Sequence, residues 1–209
     1  MKRQSHKAQE TREKILRTAT ELFYVNGYHA TGVDRIISVS EVSKGNFFYH
    51  FANKEELALA VLEWHREQAE KELDSLPEFH APSPRDRLLA MLRMMARRSA
   101  NYGDECDVRG CIFGNFAMEM SVESEAVRLK VVEILGARRR TLRQLLEESV
   151  RKGELPRAFD CDRGAGMILS LMQGAMVLDK ASQEPREIYG VIAHIEAMLQ
   201  RGATAPVPP

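Results

Sequence analysis

Apolar residues recur three and four positions apart along most of the 209-residue chain, the spacing of a helix buried on one side. From about residue 8 to 26, Ile15, Leu16, Ala19, Leu22 and Phe23 form one such stripe, and Gly27 stops it. Thr31 suits the N-cap of a short second helix, with Asp34 three residues on. Ser43 suits the N-cap of a third, reaching about Tyr49. Asn53-Lys54-Glu55-Glu56 combines a cap with acid in the first turn and opens a long helix carrying Leu57, Val61 and Trp64. Pro77, Pro82 and Pro84 break the chain, and Ser83-Pro84 starts a helix with Leu88, Leu89, Leu92, Met95 and Ala96 on one face. A glycine-containing loop at 103–110 leads into a short helix at 112–120. A long helix with Val127, Val131, Ile134, Leu142, Leu145 and Val150 follows, closed by Gly153. Two final helices span about 162–182 and 185–200. No strand alternation, internal repeat or heptad array interrupts the pattern. The fold class is therefore all-α, with about nine helices.

The stretch 31–54, TGVDRIISVSEVSKGNFFYHFANK, holds two short capped helices joined by a tight turn, as a helix-turn-helix requires. Ile36, Ile37 and Val39 are expected to pack the first helix, and Val42, Phe47 and Phe48 to anchor the second. That leaves Ser43, Lys44, Gly45, Asn46, Tyr49 and His50 near its exposed end, where a recognition helix meets base edges and phosphates. Lys54 opens the next helix, where its amide and ammonium are placed to grip a phosphate. Tyr49 and Phe51 fit core packing as well as DNA contact, and Lys44 and Lys54 fit phosphate contact better than base reading.

Composition narrows the classes. Thirty basic residues balance thirty acidic ones, so the formal net charge is zero. A nucleic-acid binder usually carries a basic excess. The balance is uneven along the chain, however: residues 1–54 hold nine Lys and Arg against five Asp and Glu. No apolar run approaches the ~18 residues of a spanning helix. The start, MKRQSHKAQETREK, lacks the apolar core of a secretory signal, so the expected compartment is the cytoplasm. There Cys106, Cys111 and Cys161 should be thiols. Cys106 and Cys111 lack the second ligand pair of a zinc site, and no metal or other cofactor is expected.

The run TREKILRTATELFYVNGYHATGV with VSKGNFFYHFANKEELALAVLE resembles the DNA-binding domain of the TetR family of repressors over about residues 8–62. The resemblance implies DNA contacts at Thr31, Lys44, Gly45, Asn46, Phe48, Tyr49, His50 and Lys54. Glu41 departs from the glycine most members have at the turn, Phe48 from a common tyrosine, and Asn46 from a common threonine or serine. The implied organisation is a DNA-binding domain at 1–54, an effector-binding and dimerisation domain at 55–201, and a disordered tail at 202–209.

Gly166, Ser170 and Gly174 recur every four residues and permit close helix approach, while Ile188, Ile192, Ile195 and Leu199 make the last helix apolar on one side. Family resemblance implies that these two helices form a four-helix homodimer interface; packing in the subunit core is the other reading. Eight of the ten methionines fall on three helices, and flexible thioethers suit a pocket for varied apolar ligands. Met95, Met172 and Met176, with Trp64, Phe113 and Phe116 as aromatic walls, are the candidate lining.

Cys111 sits at a glycine-flanked loop-to-helix junction, where amide dipoles favour a thiolate, and Arg109 is placed to assist. Cys106 and Cys161 have acidic neighbours, which raise a thiol pKa. The segments GCIFGNFAMEMSVESEAVR and GAMVLDKASQE, with the Glu41 turn, resemble the branch of the family that includes the N-ethylmaleimide reductase repressor and senses electrophiles and oxidants. That resemblance makes Cys111 the sensor, with Lys180 near it. The implied function is a repressor on palindromic operator DNA, released by a small molecule, with no membrane partner. The alternatives are the same architecture answering a non-covalent apolar ligand, or a cysteine-dependent enzyme; no histidine lies within 103–120 to serve the latter.

Overall fold

Nine α-helices and one turn of 3-10 helix make up the secondary structure of the computed structural model, which describes residues 2–100 and 108–204. The helices are α1 (Lys2–Ala30), α2 (Val33–Ser40), α3 (Lys44–His50), α4 (Lys54–Ser75), α5 (Pro84–Ala100), α6 (Ile112–Met120), α7 (Glu125–Arg151), α8 (Cys161–Ser182) and α9 (Glu187–Thr204). No strand occurs among the described residues. Cys106 and most of the expected 103–110 loop lie outside them. No described helix is long and apolar enough to cross a membrane.

Local capping sets most boundaries. Ser43 Oγ accepts from the Asn46 amide at 3.2 Å and starts α3. Asn53 Oδ1 accepts from the Glu56 amide, while the Glu56 carboxylate accepts from the Ala52 amide, both at 2.8 Å. Ser83 Oγ accepts from the Asp86 amide ahead of α5. Gly27 breaks α1 with φ 80° and ψ 169°, and Gly153 ends α7 in the left-handed region at φ 75°.

Three expected boundaries are corrected. Gly32, not Thr31, is the N-cap of α2, and it makes no side-chain cap bond. Thr31 is fully buried, and its hydroxyl donates instead to the carbonyls of Gly27 at 2.7 Å and Leu22 at 3.1 Å, fastening the broken end of α1. Asp160 accepts from the Arg163 amide and caps α8, so Cys161 opens that helix rather than lying in a loop. Helix α9 runs to Thr204, into the segment expected to be disordered; residues 205–209 lie outside the description.

The chain forms two compact units rather than dividing at residue 54. One comprises residues 1–68 and 112–132, the other residues 69–111 and 133–209. Helices of eight and seven residues cannot enclose a core alone. In the first unit, α2 and α3 therefore bury Ile36 and Phe47 with Ile15, Leu16, Leu57, Val61 and Leu62 of α1 and α4, and α6 adds Phe113 and Phe116. Val39, expected in this core, is 54% exposed, because α2 turns only one side inward.

The second unit is built around Leu88, Leu92, Met95, Leu142, Leu146, Ala165, Ile168, Met172, Met176, Ile188, Ile192, Ile195 and Leu199. The junction from α8 to α9 rests on Asp179. This carboxylate is fully buried and accepts from the amides of Glu187 at 2.7 Å and Ile188 at 3.0 Å, capping α9 from within α8.

Asp179→Ala leaves two amides without their acceptor, so urea unfolding should show a loss of about 2–3 kcal/mol, and Asp179→Asn a smaller one. Glu63 in α4 accepts from Arg66 Nε at 3.2 Å and Lys130 Nζ at 3.3 Å. The Arg66 hydrogen bond is the main cause that holds its carboxyl below the usual glutamate range, outweighing burial. Its contribution is therefore complete above pH 4.5 and lost as pH falls through the lower folded value. Glu63→Gln should flatten the stability–pH profile in that acid window.

Candidate nucleic-acid interface and sensor site

Helices α2 and α3 are joined by Glu41, Val42 and Ser43. Glu41 takes the left-handed conformation at φ 51° and ψ 35°, although a Cβ makes this unfavourable by about 1–2 kcal/mol. Its carboxylate lies 3.0 Å from Lys14 Nζ at the surface. Phe47 is completely buried and fixes α3 to the head, with Phe51 beside it at 6.0 Å between ring centres.

That anchoring turns Lys44, Gly45, Asn46, Phe48 and Tyr49 to solvent, with Tyr49 78% exposed and Phe48 45%. The expectation that Phe48 helps anchor the helix is corrected: one aromatic, Phe47, does so. The Lys44 ammonium is 3.3 Å from Asp34 in an exposed, easily exchanged pair. Apart from its chain neighbours and its own helix backbone, no described atom lies within 4 Å of where a Cβ on Gly45 would sit. A side chain at this exposed position would meet open space among the described residues. His50 is half-buried against Tyr49; burial, then the Arg12 guanidinium, lowers its pKa and keeps the imidazole neutral at neutral pH.

Thr31 and Lys54 do not join this surface. The Thr31 hydroxyl is buried as described. Lys54 Nζ donates to the carbonyls of Tyr28 at 2.8 Å and Thr31 at 3.0 Å and lies 4.1 Å above the Tyr28 ring. Burial lowers its pKa, opposed by the Glu119 charge. On the amide side of the same turn, Glu119 of α6 accepts from the Tyr28 amide at 2.8 Å and the His29 amide at 3.4 Å. Gly27 makes room for this carboxylate: a Cβ there would sit 2.9 Å from Glu119 Oε2. Sequence reasoning missed Glu119, whose one signal is that it is the lone charge in IFGNFAMEM.

In the second unit, Cys111 is half-buried and immediately precedes α6. Two donors approach its sulfur: Gln173 Nε2 at 3.5 Å and Arg138 Nη1 at 3.9 Å. The preceding Gly110 has φ 71°, and a Cβ on it would meet the Met176 carbonyl at 3.3 Å and Lys180 Cδ at 3.4 Å. Gln183 Nε2 donates to the Val108 carbonyl at 3.2 Å. Residues 108–111 thus lie along α8, with Lys180 beside the residue before the thiol. Arg109 is buried in this segment. Cys161 is half-buried as well, and burial, then Glu147 and Asp160, raises its pKa.

The other expected effector residues divide between the units. Met95, Met172 and Met176 belong to the second, where they are 0–3% exposed and fill the core. Trp64, Phe113 and Phe116 belong to the first. There Phe116 packs edge-on to Phe23 and Tyr28, and Phe113 to His65, so these rings are core aromatics.

The expected dimer residues also need correction. Ile188, Ile192, Ile195 and Leu199 are at most 5% exposed within the subunit's own core. Helix α9 has one strongly apolar side, and the subunit uses it. The exposed apolar residues are Met167, Leu171, Val177 and Leu178 on α8 and Tyr189 on α9. Ser170 and Gly174 lie exposed among them, whereas Gly166 lies against Arg139.

A seven-residue helix with an exposed polar face, set by a short turn against an eight-residue partner, defines a helix-turn-helix DNA-binding protein with a helical regulatory unit. The family described as "Bacterial regulatory proteins, tetR family" matches residues 15–61, and "Tetracyclin repressor-like, C-terminal domain" matches residues 84–195. The chain belongs to the TetR family and is a ligand-responsive, DNA-binding transcriptional repressor. It is 28% identical to the transcriptional regulator AcuR of Cereibacter sphaeroides, over 85% of this chain and 80% of that protein. It is 26% identical to the transcriptional repressor NemR of Escherichia coli, over 93% and 96%. Among solved structures, reduced E. coli NemR superposes with a TM-score of 0.78 at 26% identity, covering 90% of this chain and 96% of that one. A TetR regulator from Chloroflexus aurantiacus gives 0.82 at 27% identity, covering 94% and 97%.

The Glu119 contact makes a prediction about DNA binding. Glu119→Ala removes the acceptor of two amides at the Gly27 break and should lower head stability by about 1–3 kcal/mol, with weaker DNA binding. Hydrogen exchange should localise the loosening to the Tyr28 and His29 amides, and Glu119→Gln should be milder.

Proposed function

We propose that the protein is a homodimeric repressor of a palindromic operator, released when an electrophile modifies Cys111. The observation that carries this reading is the Cys111 environment. The residue is half-buried, two N–H donors converge on its sulfur, and the Gly110 backbone is pressed onto α8.

The two copies of α3 enter successive major grooves about 34–36 Å apart. Asn46, Tyr49 and His50 face base edges, Lys44 takes a phosphate, Gly45 admits the DNA backbone, and Phe48 adds apolar contact. Thr31 and Lys54 serve by holding the Gly27–Thr31 turn. The two subunits meet through the outer face of α8, Met167, Ser170, Leu171, Gly174, Val177 and Leu178, with Tyr189 of α9.

In the sensing step, the Cys111 thiolate adds to the electron-poor carbon of a maleimide- or quinone-type alkene. A C–S bond forms, the alkene π bond breaks, and the resulting enolate takes a proton from water. Arg138 and Gln173 orient the sulfur, and Lys180 lies beside Gly110. The addition is stoichiometric, so the thiol acts as a sensor and not as an enzyme's nucleophile. An adduct replaces the sulfur's contacts with Arg138 and Gln173 and displaces the start of α6. Glu119, eight residues along that helix and about 12 Å away, carries the displacement to the Tyr28 amide. The cytoplasm, where thiols stay reduced, is the matching compartment.

Treatment with N-ethylmaleimide followed by peptide mass mapping should find one adduct on Cys111. A gel shift on the DNA upstream of the protein's own gene should then show affinity falling about 5- to 150-fold. The Cys111→Ser protein should stay bound. An unmodified Cys111, or equal release of both proteins, would transfer the response to a non-covalent ligand.

A further inference from the structure

The run Arg138-Arg139-Arg140-Thr141-Leu142-Arg143 on α7 is used only in part by the reading above. Arg138 turns toward Cys111. Arg139, Arg140 and Arg143 converge with Gly136 and Asp162 on a recess of about 260 Å³ between α7 and the start of α8. We infer that this recess binds a small dianion, a phosphate or a dicarboxylate, at a site separate from the thiol.

Two of the three guanidinium groups are held in place. Arg139 Nη2 donates to Asp162 Oδ2 at 2.7 Å and to the Asp162 carbonyl at 3.5 Å. The same group lies against the bare Cα of Gly166, where a Cβ would come within 3.4 Å of Nη2. Arg143 Nε is 3.3 Å from Glu147. Both side chains still reach water, at 47% and 45% exposure, so each keeps donors for a ligand. Arg140 is exposed and has no carboxylate within ion-pair distance among the described residues. Gly136 opens the floor beside it: a Cβ there would lie 3.4 Å from Arg140 Nη1.

Charge and shape agree on the ligand. The lining carries three guanidinium groups and one carboxylate, and even with Glu147 beside Arg143 the cluster stays net positive, which an anion offsets. Guanidinium forks match the paired oxygens of phosphate and carboxylate. Like charges at positions 139 and 143 repel on one helix face, and glycines at 136 and 166 are poor helix formers. A face serving only solubility would need neither the recess nor the glycines.

Calorimetry with inorganic phosphate and with malonate, each at ionic strength matched with chloride, tests the site. At least one should bind once per chain with Kd below about 1 mM, and the tighter of the two names the ligand class. Arg140→Ala removes an exposed, unpaired side chain and should weaken binding at least tenfold with thermal stability unchanged. Gly136→Leu fills the recess without removing charge and should also weaken binding. Arg93→Ala, which alters an exposed arginine paired with Glu196 on other helices, should bind as the parent does. No heat beyond chloride, or parent-like binding by Arg140→Ala and Gly136→Leu, would overturn the assignment.

Discussion

The five residues from Gly27 to Thr31 are held from both ends of their peptide dipoles, and the DNA-reading head depends on that grip. Gly27 breaks α1, which leaves amides and carbonyls without helical partners. Glu119 accepts from the amides of Tyr28 and His29, and Lys54 donates to the carbonyls of Tyr28 and Thr31. The Thr31 hydroxyl closes the remaining side by donating to Leu22 and Gly27. Short helices have little core of their own, so α2 and α3 take their position from this turn and from Ile36 and Phe47. The opposite charges lie on α4 and α6, and each hydrogen-bonds backbone of the turn while the Glu119 charge also supports the charged form of Lys54. Such charge-to-backbone bonds are worth more than surface ion pairs because their partners cannot rotate away.

The zero net charge of this DNA-binding protein is a sum: residues 1–54 hold nine Lys and Arg against five Asp and Glu, and residues 55–209 hold twenty-one against twenty-five. Three lysines of residues 1–54 are engaged within the chain. Lys54 is turned inward, Lys14 is occupied by Glu41, and Lys44 by Asp34. What faces outward on α3 is Lys44, Gly45, Asn46, Phe48 and Tyr49, with a half-buried, neutral His50 beside them. Weak non-specific attraction and a reading face rich in directional groups suit a protein that has to leave its site on a signal.

Features that depend on neighbours in sequence were legible before any coordinates. The helix series, the caps at Ser43, Asn53 and Ser83, the stop at Gly27 and the family motif around Ser43-Lys44-Gly45 all reflect contacts within four residues. Contacts between distant residues were not legible. The Thr31 hydroxyl and the Lys54 ammonium look like DNA ligands in a linear motif, but their partners lie 9 and 26 residues away. Glu119 meets Tyr28 across 91 residues, and Arg138 meets Cys111 across 27. The isoleucines of α9 were apolar enough for either a core or an interface, and periodicity alone cannot say which side a helix buries. Burial decides it: the subunit takes the stronger stripe, and the weaker one on α8 stays exposed.

Helix α8 unites the remaining parts because its 22 residues serve three neighbours at once. Ile168, Met172 and Met176 enter the core, Asp179 holds the start of α9, and Gln173 and Lys180 line the 108–111 segment at the thiol. Met167, Leu171, Val177 and Leu178 remain outside. A packed helix moves as a body, since its core contacts do not deform continuously. Any shift imposed at Gln173 by a larger group on Cys111 is therefore imposed on the outer stripe as well. Linkage makes the relation reciprocal: a partner helix seated on that stripe would alter the energy of the modified thiol by the same amount. On the proposed function, sensing and assembly would therefore be coupled through the position of this one helix.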